Sequence, residues 1–67
     1  MNEFYKLLVY FHEGEKITRA SLLHKPFVTA ELVTSALELK YIVETTSTED
    51  GATRYMITEL GKQKRDN

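Results

Sequence analysis

The chain has 67 residues, of which 42% are hydrophobic and 28% charged, and this length fits one domain with little room for a deep catalytic cleft. Cysteine is absent, which excludes disulfides and thiolate metal sites and suits a reducing compartment. The formal net charge of −1 differs from the basic balance of most dedicated nucleic-acid binders, so any DNA binding has to depend on a local group of cations.

The first predicted helix lies at the N-terminus. Asn2 is its expected N-cap, and Gly14 is expected to follow its last turn as the C′ residue. Between them, the spacing of one helix face brings together four apolar side chains: Phe4, Leu7, Leu8 and Phe11. This helix is therefore expected to face the core.

A second predicted helix covers residues 19–24. Thr18 is its expected N-cap, because a hydroxyl at that position can accept from an unpaired N–H of the first turn. Pro26 cannot donate to a continuing helix and disfavours the helical conformation in the residue before it. Residues 25–28 are therefore predicted to form a turn, with Phe27 filling the core.

The third predicted helix spans residues 29–39 and has Thr29 as its N-cap. Its expected buried side chains are apolar and lie at helical spacing: Leu32, Val33, Ala36, Leu37 and Leu39. The opposite side collects small, polar and acidic residues: Ala30, Glu31, Thr34, Ser35 and Glu38. One face is thus predicted to be buried and the other to meet a partner.

A β-hairpin is predicted after the third helix. Residues 41–46 and 53–57 are rich in β-branched and aromatic side chains, and Asp50-Gly51 between them is a strong hairpin signal. Strand alternation places Tyr55 and Ile57 on one face, which is expected to be buried.

The last residues are predicted to contribute little to the fold. Residues 58–61 read as a capped turn that closes the hairpin, and residues 62–67 as a polar, frayed tail. The cations of this tail are diluted by Asp66, so solubility is a better explanation for them than a phosphate contact.

This order of elements resembles the winged helix-turn-helix family of small prokaryotic transcription regulators. Residues 36–42 are similar to the family's junction between third helix and strand, and residues 50–61 to its wing and following turn. The family usually has Gly where Lys40 stands, which indicates a different cap at this helix end. The resemblance implies an α+β fold over residues 1–67, a three-helix bundle with a two- to three-stranded antiparallel wing.

The resemblance also implies binding to double-stranded DNA. The helix at 29–39 would enter the major groove, and the wing at 41–58 would reach the backbone or the minor groove. Expected groove contacts are Thr29, Ala30, Thr34 and Ser35, and expected phosphate contacts are Arg19, Lys25 and Arg54. Two copies on a two-fold operator would add two weak basic footprints, so a homodimer is one arrangement compatible with this interpretation.

The acidic residues favour an alternative. Glu31 and Glu38 lie on the face that would meet the groove, and Glu49 and Asp50 lie at the expected wing tip. Carboxylates near phosphate are repelled over a Debye length of about 8 Å at physiological salt. The second interpretation is therefore a protein-interaction module that offers this acidic face to a basic protein partner.

No enzymatic activity, cofactor or metal site is expected. His12 and His24 have no Asp, Glu or Cys at ligand spacing, and the three glycines are isolated rather than grouped in a phosphate-binding loop. No basic leader or long apolar run is present, so neither a signal peptide nor a membrane span is expected, and the expected location is the cytoplasm.

Overall fold

Four helices and three strands follow one another in the computed structural model, which describes residues 3–46 and 50–66. In chain order they are α1 (Tyr5–Leu8), β1 (Ile17–Thr18), α2 (Arg19–Leu23), α3 (Ala30–Glu38), β2 (Ile42–Thr46), β3 (Thr53–Ile57) and α4 (Glu59–Asp66). The predicted α+β class is confirmed. None of the described helices is long and apolar enough to cross a membrane.

The strands form an antiparallel sheet with the order β1-β3-β2. Tyr55 of β3 lies opposite Ile17 of β1, and Ile57 lies opposite Ile42 of β2. All of these side chains are buried, because they share one face of the sheet. The burial of Tyr55 and Ile57 predicted from strand alternation is therefore confirmed.

One apolar cluster joins the sheet to α1, α2 and α3. Its members are Leu7, Leu8, Phe11, Ile17, Leu22, Val28, Val33, Ala36, Ile42, Tyr55 and Ile57. No charged side chain is buried among the described residues. Burial of this surface is the main stabilising contribution that the fold has, since the chain contains no disulfide.

The first helix is shorter than predicted. It ends at Leu8, and after Val9 the N–H groups of Tyr10 and Phe11 donate to carbonyls only three residues back, at 3.3 and 3.1 Å. This tightened turn still directs Phe11 into the core. Gly14, with φ 74°, belongs to a separate turn rather than to the helix end, and Asn2 lies outside the described residues.

Both predicted threonine caps are present. The N–H of Ser21 donates to Oγ1 of Thr18, and the N–H of Leu32 donates to Oγ1 of Thr29, each at 3.1 Å. Each cap satisfies a donor that has no carbonyl partner in the first helical turn. The two threonines therefore fix where α2 and α3 begin.

The end of α3 differs from the expectation at two residues. The N–H of Tyr41 donates to the carbonyl of Ala36 at 2.9 Å and the N–H of Lys40 to that of Leu37 at 3.2 Å, which is the Schellman pattern. Lys40 has φ 66°, so it adopts the conformation that glycine usually supplies there. Leu39, which was predicted to be buried, is 48% exposed because the helix has already ended at Glu38.

The prediction that Phe27 fills the core is wrong. Its side chain is 77% exposed and its backbone has φ 67°. Val28 is buried at this turn instead. The left-handed conformation of Phe27 turns the ring to the surface and leaves the inward position to the next residue.

Most of the predicted tail is helical. Helix α4 extends to Asp66, and its first turn is capped by the hydroxyl of Thr58, which accepts from the N–H of Gly61 at 3.0 Å. Arg65 donates to the carbonyl of Phe11 at 2.9 Å. Lys62 lies 3.1 Å from a carboxylate oxygen of Glu13, and this hydrogen bond raises the pKa of Lys62. Polar contacts therefore hold α4 against the segment that follows α1.

Candidate nucleic-acid interface

The outward face of α3 has two glutamates at its centre. At about 100° per residue, Glu31 and Glu38 point directly away from the buried side chains of Val33 and Ala36. Both glutamates are exposed. They are seven positions apart, which is about 10 Å along the helix axis at 1.5 Å per residue. Any partner that approaches this face squarely meets both carboxylates.

The four predicted groove contacts lie around these glutamates rather than in one patch. Thr29, Ala30, Thr34 and Ser35 are all exposed. By helical position, Ala30 and Thr34 lie on one flank of the glutamates and Ser35 lies on the other. The hydroxyl of Thr29 is occupied as an acceptor by its capping bond, although its proton is still available to an acceptor on a partner.

Arg19 is positioned at the start of α2 by the sheet. Its Nη1 donates to the hydroxyl of Tyr55 at 2.8 Å, and the Tyr55 ring is buried. A shallow groove runs from Arg19 past Leu23 of α2 to Ala52 and Thr53 of the hairpin. The guanidinium thus lies between α2 and the hairpin, with other donors directed away from Tyr55.

Lys25 lies in the turn after α2. Its ammonium is 5.6 Å from the centre of the Tyr10 ring, and the Tyr10 hydroxyl donates to the carbonyl of Pro26 at 3.3 Å. The ring restricts the lysine by a cation–π contact, and Glu15 and Lys16 line the same groove as the lysine. The Lys25 side chain is therefore directed towards Tyr10 and the residues before α2, and not along α3.

Arg54 is bound to Asp50 inside the hairpin. Two guanidinium nitrogens of Arg54 lie 3.1 and 2.9 Å from the two carboxylate oxygens of Asp50. Asp50 also accepts from the N–H of Ala52 at 3.0 Å. Arg54 was expected to contact phosphate and Asp50 to repel it, and in this bidentate pair their two charges neutralise each other.

The predicted acidic face is smaller in the structure than in the sequence. Asp50 is paired with Arg54, and Glu49 lies outside the described residues. The other two members, Glu31 and Glu38, are exposed to solvent on α3. An anionic partner is therefore repelled mainly by these two glutamates, at the centre of the outward face of α3.

Sequence reasoning missed two residues beside α3, Lys6 and Phe27. The Lys6 ammonium lies 5.6 Å from the centre of the Phe27 ring. Both residues line a groove whose other wall includes Thr29, Glu31 and Ser35. Phe27 was assigned to the core because it is apolar, and no local pattern distinguishes it from Val28. The signal for its exposure is the backbone conformation, which the sequence does not display.

The described residues contain no group of three or more His, Asp or Glu side chains arranged to hold a metal ion. In comparisons with protein-family models and with curated proteins, nothing matches this chain. The site is therefore interpreted from its own geometry.

Proposed function

We propose that the chain is a winged-helix domain that binds double-stranded DNA as a small, non-enzymatic transcription regulator in the cytoplasm. In this proposal α3 approaches the major groove, and the β2–β3 hairpin is the wing. The observation that carries it is the arrangement of α2, a short turn and α3, both helices capped by threonine, followed directly by an antiparallel hairpin.

The placement of three cations supports this proposal. Arg19 lies between α2 and the hairpin, Lys25 lies in the turn before α3, and Lys6 lies beside the groove along α3. Each of the three lines a different groove, so the proposal requires phosphates at separate places around α2 and α3. The central glutamates of α3 lower the affinity, and a carboxylate can also select a cytosine amino group in the groove.

Titration of labelled duplex DNA with the protein at low salt tests the proposal. We expect binding that weakens as salt is added, with amide shifts at Arg19, Lys25, Thr29 and Thr34. Absence of binding at low salt, where the electrostatic contribution is largest, would contradict it.

A second candidate is a protein-interaction module, which the two central glutamates of α3 favour. In that case Glu31 and Glu38 would meet a basic protein partner. Glu31→Gln and Glu38→Gln distinguish the two candidates, with Glu59→Gln on α4 as a control. DNA affinity should rise in the α3 variants if DNA is the partner, and binding to a basic protein should weaken if the module is an acidic one.

A further inference from the structure

Both the exposure and the backbone conformation of Phe27 are unfavourable for a residue whose only role is to stabilise the fold. It is the most exposed of the large apolar side chains in the described chain, at 77%, compared with 48% for Leu60. Its φ of 67° lies in the left-handed region that glycine and asparagine tolerate and bulky residues rarely adopt. The backbone conformation costs stability, and the cation–π contact of the ring with Lys6 offsets only part of that cost.

The position of Phe27 connects it to the proposed DNA-binding surface. It precedes the Thr29 cap by two residues, at the end of α3 that would lie closest to base edges. The groove beside it is lined by Lys6 of α1, by Thr29 and Ser35 at and within α3, and by the carboxylates of Glu3 and Glu31. An aromatic ring and an ammonium group therefore lie together at the edge of the proposed DNA-binding surface.

We propose that Phe27 and Lys6 form a two-part contact with one nucleotide of the bound duplex, an inference that rests on the proposed function. The ring packs against the sugar and base edge, and the ammonium pairs with the adjoining phosphate. The ammonium lies over the ring, 5.6 Å from its centre, and Phe27 is still 77% exposed, so one ligand with an apolar surface beside an anion can reach both groups. Glu3 and Glu31 line the same groove, so the pairing of Lys6 with the phosphate acts against the repulsion of two carboxylates.

Three variants separate the two parts of this contact. Phe27→Asn removes the ring and keeps a residue that tolerates positive φ. Lys6→Gln removes the charge and keeps a polar chain of similar reach. Leu60→Asn is the control, because Leu60 is also an exposed apolar residue but lies on α4. Each variant is titrated with the same labelled duplex at several salt concentrations, and its thermal unfolding is recorded.

We expect Phe27→Asn to weaken binding about fivefold or more and to leave the salt dependence of the affinity unchanged, since the lost contact is uncharged. Lys6→Gln should weaken binding and reduce the salt slope by about one, the change for a single phosphate. Leu60→Asn should change neither quantity. Phe27→Asn should unfold at or above the temperature of the unchanged protein, so lost affinity cannot come from unfolding.

Three results would overturn the inference while the proposed function stands. One is unchanged affinity of Phe27→Asn, and another is an equal loss in Leu60→Asn. The third is a reduced salt slope in Phe27→Asn, which would mean that the ring only positions Lys6. If Phe27→Asn unfolds earlier, Phe27→Gly repeats the measurement with a residue that accepts the same φ. Absence of DNA binding by the unchanged protein would overturn both proposals.

Discussion

At the scale of single residues, the backbone angle of Lys40 determines how its substitution by glycine changes the stability of the protein. It occupies the C′ position of α3 with φ 66°, a conformation that costs an L-residue about 1–2 kcal/mol. Lys40→Gly removes that cost, but it also increases the conformational entropy of the unfolded chain, which destabilises the fold by about 0.4–1 kcal/mol. We therefore expect a net stabilisation of about 1 kcal/mol, measured by denaturant unfolding.

Lys40→Ala is the matched control for this prediction. It removes the same long side chain but keeps a Cβ, so the backbone cost remains. If Lys40→Ala stabilised the protein as much as Lys40→Gly, the gain would come from the lost lysine side chain and not from the relieved backbone.

At the scale of the hairpin, Asp50 limits what Arg54 can contribute to DNA binding. The bidentate pair between them holds the guanidinium within the hairpin, at 2.9 Å for its shorter contact. Asp50→Asn keeps an oxygen for the N–H of Ala52 and removes the negative charge. We expect DNA affinity to rise about two- to fivefold, because an exposed ion pair contributes at most about 1 kcal/mol.

The control for the hairpin is Asp66→Asn. Asp66 forms a comparable exposed ion pair with Arg65 at 3.0 Å, but on α4. Its neutralisation removes one negative charge from the whole molecule and leaves the hairpin unchanged. An equal gain in both variants would show that net charge, rather than the release of Arg54, governs the affinity.

Helix α4 depends on the absence of a side chain at Gly61. A Cβ at this position would lie 2.0 Å from the carbonyl oxygen of Tyr41 and 2.8 Å from the Ile57 side chain. Gly61→Ala would otherwise favour a helix by about 1 kcal/mol. Here we expect destabilisation of about 1–3 kcal/mol from overpacking, seen as a lower unfolding temperature.

Gln63→Ala tests the same helix without the close approach. Gln63 is exposed on α4, so alanine there should leave stability unchanged or raise it slightly. Stabilisation by Gly61→Ala would mean that α4 does not approach the Tyr41 carbonyl as closely as the structure has it.

At the scale of the whole molecule, the predictable parts are those with local causes. The threonine caps, the strand alternation at Tyr55 and the α+β class all follow from neighbouring residues in the chain. Helix α4 was missed because its contacts are with Glu13 and Phe11, far away in sequence. In the candidate site, the exposure of the polar α3 residues was predictable, but the Asp50–Arg54 pair depends on the shape of the hairpin and the position of Phe27 on a positive φ, and the sequence displays neither.

The charge balance of the whole chain leads to a prediction about salt. Lys6 shares a groove with α3, Arg19 lies between α2 and the hairpin, and Lys25 lies over the Tyr10 ring; these are the three cations of the proposed DNA contact. Three phosphate contacts correspond to a slope of about −2.7 for the logarithm of the binding constant against the logarithm of salt concentration. We expect this slope for one copy on a short duplex, measured by fluorescence anisotropy.

Two copies on a longer, two-fold duplex would double the number of contacts, so the slope for the pair should approach about −5. The length of the duplex therefore distinguishes a single bound domain from a homodimer without any change to the protein. A slope near zero on both duplexes would contradict phosphate contacts by these cations. It would favour the second candidate, in which Glu31 and Glu38 of α3 bind a basic protein partner.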